Sequence, residues 1–138
     1  MKTRARLAAG VAALATGLLL VPAHAAPTVR SQDRAADTYL TSGQGRSGCP
    51  TGRFCLYEND GYNAGGSAQI LVTRSSVSSL GTYGFNDKAS SYYDNTSQPV
   101  VLHENADYGG GQLSIRSQGS GNLAGSWNDK VSSLRFLS

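Results

Sequence analysis

Histidine is almost missing from this chain of 138 residues. There are two, His24 and His103. There are also only two cysteines, one tryptophan and one methionine, and charged residues make up just 15% of the chain. No apolar run reaches the twenty or so residues a membrane-spanning helix needs. The longest is LAAGVAALATGLLLV, residues 7–21, behind the basic MKTRAR and ahead of the small-x-small AHA that ends at Ala25. That order is the order of a secretory signal peptide, so residues 1–25 are expected to be removed on export. His103 is then the only histidine of the mature chain. One histidine excludes multi-histidine zinc sites and most histidine-based catalysis, and nothing builds a Ser-His-Asp or Cys-His site. No enzyme is expected. Lys2, Arg4 and Arg6 leave with the signal as well, which leaves nine basic residues against nine acidic. The formal charge of +3 belongs to the leader, and the footprint of a nucleic-acid binder is absent.

The mature chain is one domain by length, extracellular, and expected to be a monomer with no membrane association once the signal is cleaved. Cys49 and Cys55 are six residues apart in an exported chain, where disulfides persist, and the spacing predicts a Cys49–Cys55 bridge. Residues 26–48 lack alternation or a sustained apolar face. They read as a flexible N-terminal segment or linker, with a short helix around 32–40 and a pro-segment both left open. The domain is expected over 49–138.

From Cys49 on, helical periodicity is nearly absent and short β-rich runs alternate with Gly, Asn, Asp and Ser clusters. RFCLYEN (53–59), AQILV (68–72), SSYYD (90–94), PVVLHEN (99–105), QLSIR (112–116) and VSSLRFL (131–137) read as strands. They repeat as a set. CLYENDGYNAGG (55–66) matches VLHENADYGGGQ (101–112), and FNDKASSYYD (85–94) matches WNDKVSSLRF (127–136). Two copies, about 53–97 and 98–138, each hold three clear strands. Room for a fourth lies near 77–84 and 121–125. This is an internal duplication, and the fold class it predicts is all-β: a two-Greek-key antiparallel β-sandwich.

The repeated Asn-Asp-Lys-x-Ser-Ser frame presents oxygen at close spacing. Asn86, Asp87, Asn128 and Asp129 supply amide and carboxylate oxygens at a turn, and Ser90 and Ser132 supply hydroxyls. Lys88 and Lys130 are cationic donors, so only their backbone carbonyls qualify. A hard cation such as calcium takes six to eight such oxygens. Asn-Asp and Ser-Ser pairs are also ordinary turn chemistry, and one frame alone reads as a turn. Two frames at matching places in a repeat point to two calcium ions.

An aromatic residue followed by Tyr and glycines, then Asn-Asp-x-x-Ser-Ser, resembles the paired marks of microbial βγ-crystallin domains. The first mark is YENDGYNAGG (57–66) and HENADYGGG (103–111). The second is NDKASS (86–91) and NDKVSS (128–133). The resemblance covers residues 53–138, with Phe85 and Trp127 at the large-aromatic position before each frame. It implies a βγ-crystallin-like fold and calcium sites that also take a backbone carbonyl from each first hairpin, at Glu58 and Glu104, with ligands exchanged between halves. Two departures stand out. His103 replaces an aromatic, and the glycine after Tyr62 comes late, which predicts a loosened first hairpin and a weaker first site.

CPTGRFCLYEND (49–60) also resembles the opening of the secreted, streptomycete-type metalloproteinase inhibitors, which share the crystallin-like fold. That resemblance implies a secreted protease as partner. Its inhibitory loop is associated with a further disulfide, and the two cysteines here leave none to form it. A third reading is a cell-wall or carbohydrate module presenting Tyr92 and Tyr93, although aromatics on strands more often pack sheets. YGGGQ (108–112) lacks the Lys-Ser/Thr and helix of a phosphate loop and reads as a turn. Glu58 and Glu104, equivalent positions of a repeat, do not make a catalytic pair.

Overall fold

A computed structural model describes residues 36–138. The expected signal peptide and residues 26–35 lie outside the described residues. Eight strands form two antiparallel sheets: β1 (Thr38–Gly43), β2 (Phe54–Tyr57), β3 (Ala68–Thr73), β4 (Ser91–Asp94), β5 (Val100–His103), β6 (Gln112–Ile115), β7 (Ser120–Asn122) and β8 (Ser133–Phe136). The first sheet runs β1-β3-β2-β4-β7 and the second β6-β5-β8. Six of these strands fall on the six β-rich runs of the sequence.

Each sheet borrows from the other half of the repeat. β7 belongs to the second copy but pairs with β4 of the first, Tyr92 opposite Gly121. In return Val77 of the first copy bridges Leu134 of β8, through Val77 N–H to Leu134 C=O at 2.9 Å and Leu134 N–H to Val77 C=O at 3.0 Å. Sequence left room for a fourth strand near 77–84 and 121–125; the second is β7, whereas the first is a single bridge at Val77 followed by a 3-10 helix, Leu80–Tyr83. Neither half completes its sheet alone. The sandwich core between the sheets is built on alternate positions such as Phe54, Leu56, Leu71, Val100, Leu102 and Leu134, all fully buried.

The opposite face of the first sheet is covered too. Cys55, Tyr57, Ile70 and Val72 point away from the sandwich, and together with Cys49 they form a second apolar cluster, against which Tyr39, Tyr62 and Tyr93 pack. β2 is therefore buried at all four positions. Its FCLY lacks polar alternation because both faces are covered.

The cover is the arm of residues 36–48. Sequence leaves this segment as a linker or a short helix. Instead Thr38–Gly43 pairs along the whole of β3, from Thr38 opposite Thr73 to Gly43 opposite Ala68. The sheet begins at Thr38, ahead of the expected domain start at Cys49. Leu40 packs toward the sandwich core and Tyr39 toward the outer cluster, so TYLTSG alternates about the sheet. Gly48 lies so close to Ile70 that a Cβ there would stand 3.0 Å from its Cδ1. Arg53 holds the start of the arm with its guanidinium, which donates to the carbonyls of Ala36 (2.8 Å) and Asp37 (2.9 Å). Cys49 and Cys55 form the expected disulfide, which ties the end of the arm to β2.

Candidate metal sites between the two halves

The two Asn-Asp-Lys-x-Ser-Ser frames lie against each other. Asp87 N–H donates to Val131 C=O at 3.1 Å, and Asp129 N–H to Ala89 C=O at 3.0 Å. This reciprocal pair brings the acid of each frame to the serine of the other. Ser90 Oγ is 3.4 Å from Asp129 Oδ1, and Ser132 Oγ is 3.2 Å from Asp87 Oδ1. Asp87 and Asp129 hold left-handed backbone angles, φ 53° and 56°. Asp and Asn tolerate that region better than most residues, which is why this turn selects them. Asn86 Nδ2 and Asn128 Nδ2 each donate to the other oxygen of the neighbouring aspartate, at 2.9 and 3.2 Å. The amides brace the carboxylates and leave Oδ1 toward the serines.

An open cleft of about 300 Å³ is lined by Glu58, Asn59, Asp87, Lys88, Ser90 and Asp129. Polar atoms dominate it. The backbone carbonyls of Glu58, Lys88, Glu104 and Lys130 accept no hydrogen bond among the described residues. The Glu58 and Glu104 side chains are used elsewhere. Glu58 Oε2 accepts Gln69 N–H (3.0 Å) and Glu104 Oε2 accepts Gly111 N–H (3.1 Å), so both carboxylates close their own hairpins. Lys88 turns its ammonium to Gln69 Oε1 at 3.4 Å. No group of three or more His, Cys, Asp or Glu side chains placed to hold a metal occurs among the described residues. The donors present are carboxylate, hydroxyl and carbonyl oxygens, a set that suits a hard cation completed by water and not a soft transition metal.

Sequence reading missed the second serine of each frame. Ser91 Oγ accepts Tyr62 N–H at 3.0 Å and donates to Asn59 C=O at 2.6 Å. Ser133 Oγ does the same with Tyr108 N–H and Asn105 C=O, at 3.0 and 2.6 Å. Both serines are fully buried. In each Ser-Ser pair the first hydroxyl faces the opposite half and the second locks the hairpin of its own half. Strand alternation, which sends successive side chains to opposite faces, was the available signal.

The departures at the hairpins are resolved differently from expectation. Glu58 N–H pairs with Gln69 C=O, and Glu104 N–H with Gly111 C=O. The repeat offset therefore drops from 46 to 42, and the first hairpin is four residues longer. It is not loosened. Asn63, fully buried, fills it: Oδ1 accepts Asn59 N–H (2.9 Å) and Nδ2 donates to Gly43 C=O (3.0 Å) and Gln69 C=O (3.3 Å). His103 takes the place of Tyr57 on β5 and is a buried packing residue. It is 3% exposed, sits edge-on to Tyr108 with ring centroids 5.8 Å apart, and neither ring nitrogen has a hydrogen-bond partner among the described residues. Burial, with Arg135 nearby, holds its pKa below the ordinary histidine value. Tyr92 packs on the sandwich core and Tyr93 on the outer cluster, with the Arg46 guanidinium 5.5 Å from the Tyr93 ring centre. The two do not form one sugar-facing platform.

Solved structures similar to this fold include βγ-crystallins. A structure from work on the evolution of the eye-lens βγ-crystallin domain fold has a TM-score of 0.60 at 17% identity, covering 72% of this chain and 97% of that one. A βγ-crystallin from Ciona intestinalis has a TM-score of 0.53 at 26% identity, covering 62% and 99%. A double mutant of a βγ-crystallin domain from Clostridium beijerinckii has a TM-score of 0.51 at 24% identity, covering 61% and 94%. No curated protein matches the chain. The model of peptidase inhibitor family I36 matches residues 43–115, from the end of β1 to the end of β6. The matched family is one of peptidase inhibitors, a non-enzymatic kind. The chain belongs to peptidase inhibitor family I36, built on the βγ-crystallin fold.

Proposed function

We propose that this is a secreted calcium-binding protein in which two ions clamp the halves of the sandwich together. The crossed pairs Ser90–Asp129 and Ser132–Asp87 carry the reading. In each pair a hydroxyl and a carboxylate from different halves converge. The Glu58 and Lys88 carbonyls complete the protein share of one site, and those of Glu104 and Lys130 complete the other. Asn86 and Asn128 brace the acids. Four protein oxygens with a single formal charge leave water to fill the shell, so affinity is modest, about 10⁻⁶ to 10⁻³ M. Calorimetric titration of chelator-treated protein is expected to give two ions per chain. Absence of heat and of any melting shift in millimolar calcium would make the frames plain turns.

Family membership supports a second activity, inhibition of a secreted peptidase. The two readings are compatible, since calcium would stabilise the scaffold that presents the inhibitory surface. Wild type and the Ser90→Ala/Ser132→Ala double variant should titrate a secreted metalloproteinase with the same stoichiometry at a temperature where both are folded. No loss of peptidase activity at a large excess of inhibitor rules out that partner class.

A further inference from the structure

The two halves hold their first hairpins by different means, and the difference reaches the candidate metal sites. The carbonyl of Glu58 and the N–H of Asn59 belong to one peptide unit. In a planar trans peptide these two groups point in opposite directions, so whatever holds the N–H aims the carbonyl. Asn63 Oδ1 holds that N–H. In the second half the equivalent N–H, of Asn105, goes to the backbone carbonyl of Gly109 at 3.1 Å, inside a run of three glycines.

Asn63 is itself anchored, because its Nδ2 donates to Gly43 at the end of β1. Two more bonds run from the arm to the same hairpin: Gly45 N–H to Tyr62 C=O at 2.7 Å and Gln44 Nε2 to Ala64 C=O at 2.8 Å. No strand occupies the equivalent edge of the second sheet among the described residues, since that sheet ends at β6. A partner behind a ligand fixes its direction and raises its basicity, and losing such a partner weakens metal affinity about ten- to hundredfold.

We infer that the N-terminal arm makes the two sites unequal: acting through Asn63, it preorganises the Glu58 carbonyl, so that the Ser90–Asp129 site binds calcium more tightly than the Ser132–Asp87 site. This rests on the calcium reading above. Asn63 is a positioning residue and touches no ion. The order is the reverse of the one that glycine spacing alone suggests.

The test uses the full mature chain and calcium alone. Wild type should give two unequal steps in calorimetry, with Ser90→Ala removing the tight one and Ser132→Ala the weak one. Asn63 has φ 63°, so Asn63→Gly keeps the backbone and removes only the side chain. It should weaken the tight step about tenfold or more and leave the weak step in place. Gln44→Ala, an exposed change that spares the core, should weaken the same step to a lesser degree. Amide exchange in calcium-free protein gives a readout independent of the metal, and the Asn59 amide should lose protection in Asn63→Gly while the Asn105 amide keeps it. Equal affinities in wild type, a tight step removed by Ser132→Ala, or equal weakening of both steps by Asn63→Gly would overturn the inference while leaving calcium binding intact. A wild type that takes up no calcium overturns both.

Discussion

Identical residues in this chain do different work according to which way the backbone turns them. Ser90 and Ser91 are neighbours, yet one meets Asp129 of the other half and the other closes a hairpin in its own. The carboxylates divide in the same way. Asp87 and Asp129 stand at the cleft, whereas Asp94 is fully buried at the end of β4. Thr96 N–H and Oγ1 both bond Asp94 Oδ1, at 2.9 and 2.7 Å, while Oδ2 has no partner among the described residues. Burial raises the pKa of Asp94 above the ordinary carboxylate value, against the lowering effect of Thr96. The folded state then holds the proton more tightly than the unfolded chain does. The charged form costs stability at neutral pH, and that cost disappears as pH falls from the raised pKa toward the unfolded one. Asp94→Asn keeps the Oδ1 acceptor and removes the charge. The melting temperature of wild type relative to Asp94→Asn should therefore rise by a few degrees on going from about pH 8 to about pH 4. A difference that stays flat or shrinks toward acid would mean that Asp94 is ionised without penalty.

Six strands were legible in the sequence because their apolar residues alternate, or run together, between clear turn clusters. β1 was not. TYLTSG has ordinary β propensity and polar flanks, and it becomes a strand because β3 offers an open edge and an apolar outer face. Propensity cannot see an edge made by residues 25–35 positions further on. The exchange of β7 and Val77 was hidden for the same reason, being a matter of which neighbour is nearest in space. The frames were legible as oxygen clusters because their repetition is a sequence fact. The roles of Asn63, Ser91 and Ser133 depend on side-chain direction inside the fold. The disulfide belongs at this scale too. It closes a short loop and should contribute roughly 2 kcal/mol on the chain-entropy model. Its larger consequence is local, because it fastens an arm that covers one face of one sheet. Cys49→Ser/Cys55→Ser should lower the melting temperature by roughly 10 °C. Amide exchange should rise first in β1 and at Gly45, with β5 and β8 unchanged. Loss of protection spread evenly over both sheets would contradict a local role.

At the scale of the whole molecule the two copies are not two domains. The second copy gives β7 to the first sheet and the first gives the Val77 bridge to the second, each frame's backbone bonds the other's, and each candidate site draws its carboxylate from across the boundary. Calcium bound there would favour only the state in which both halves are docked. An ion at a hundred times its Kd adds about 2.7 kcal/mol if the unfolded chain does not bind it. Two ions on a domain of this size should therefore raise the melting temperature by roughly 20 °C. The crossed arrangement also fixes which substitutions act as one. Asp87→Asn removes the charge and Ser132→Ala the hydroxyl of the same site although they lie in different copies, so their effects on the calcium-induced shift should overlap, each alone costing about half of it and the pair little more. Asp87→Asn and Ser90→Ala lie in one frame but at different sites, so the pair should abolish nearly the whole shift. Asn is at home in the left-handed conformation of residue 87, so the acid can be neutralised there without backbone strain. The measurement is a set of melting curves with and without saturating calcium for wild type, the three single variants and the two pairs. If Asp87 instead overlaps with Ser90 and adds to Ser132, each ion belongs to one copy and calcium does not clamp the halves.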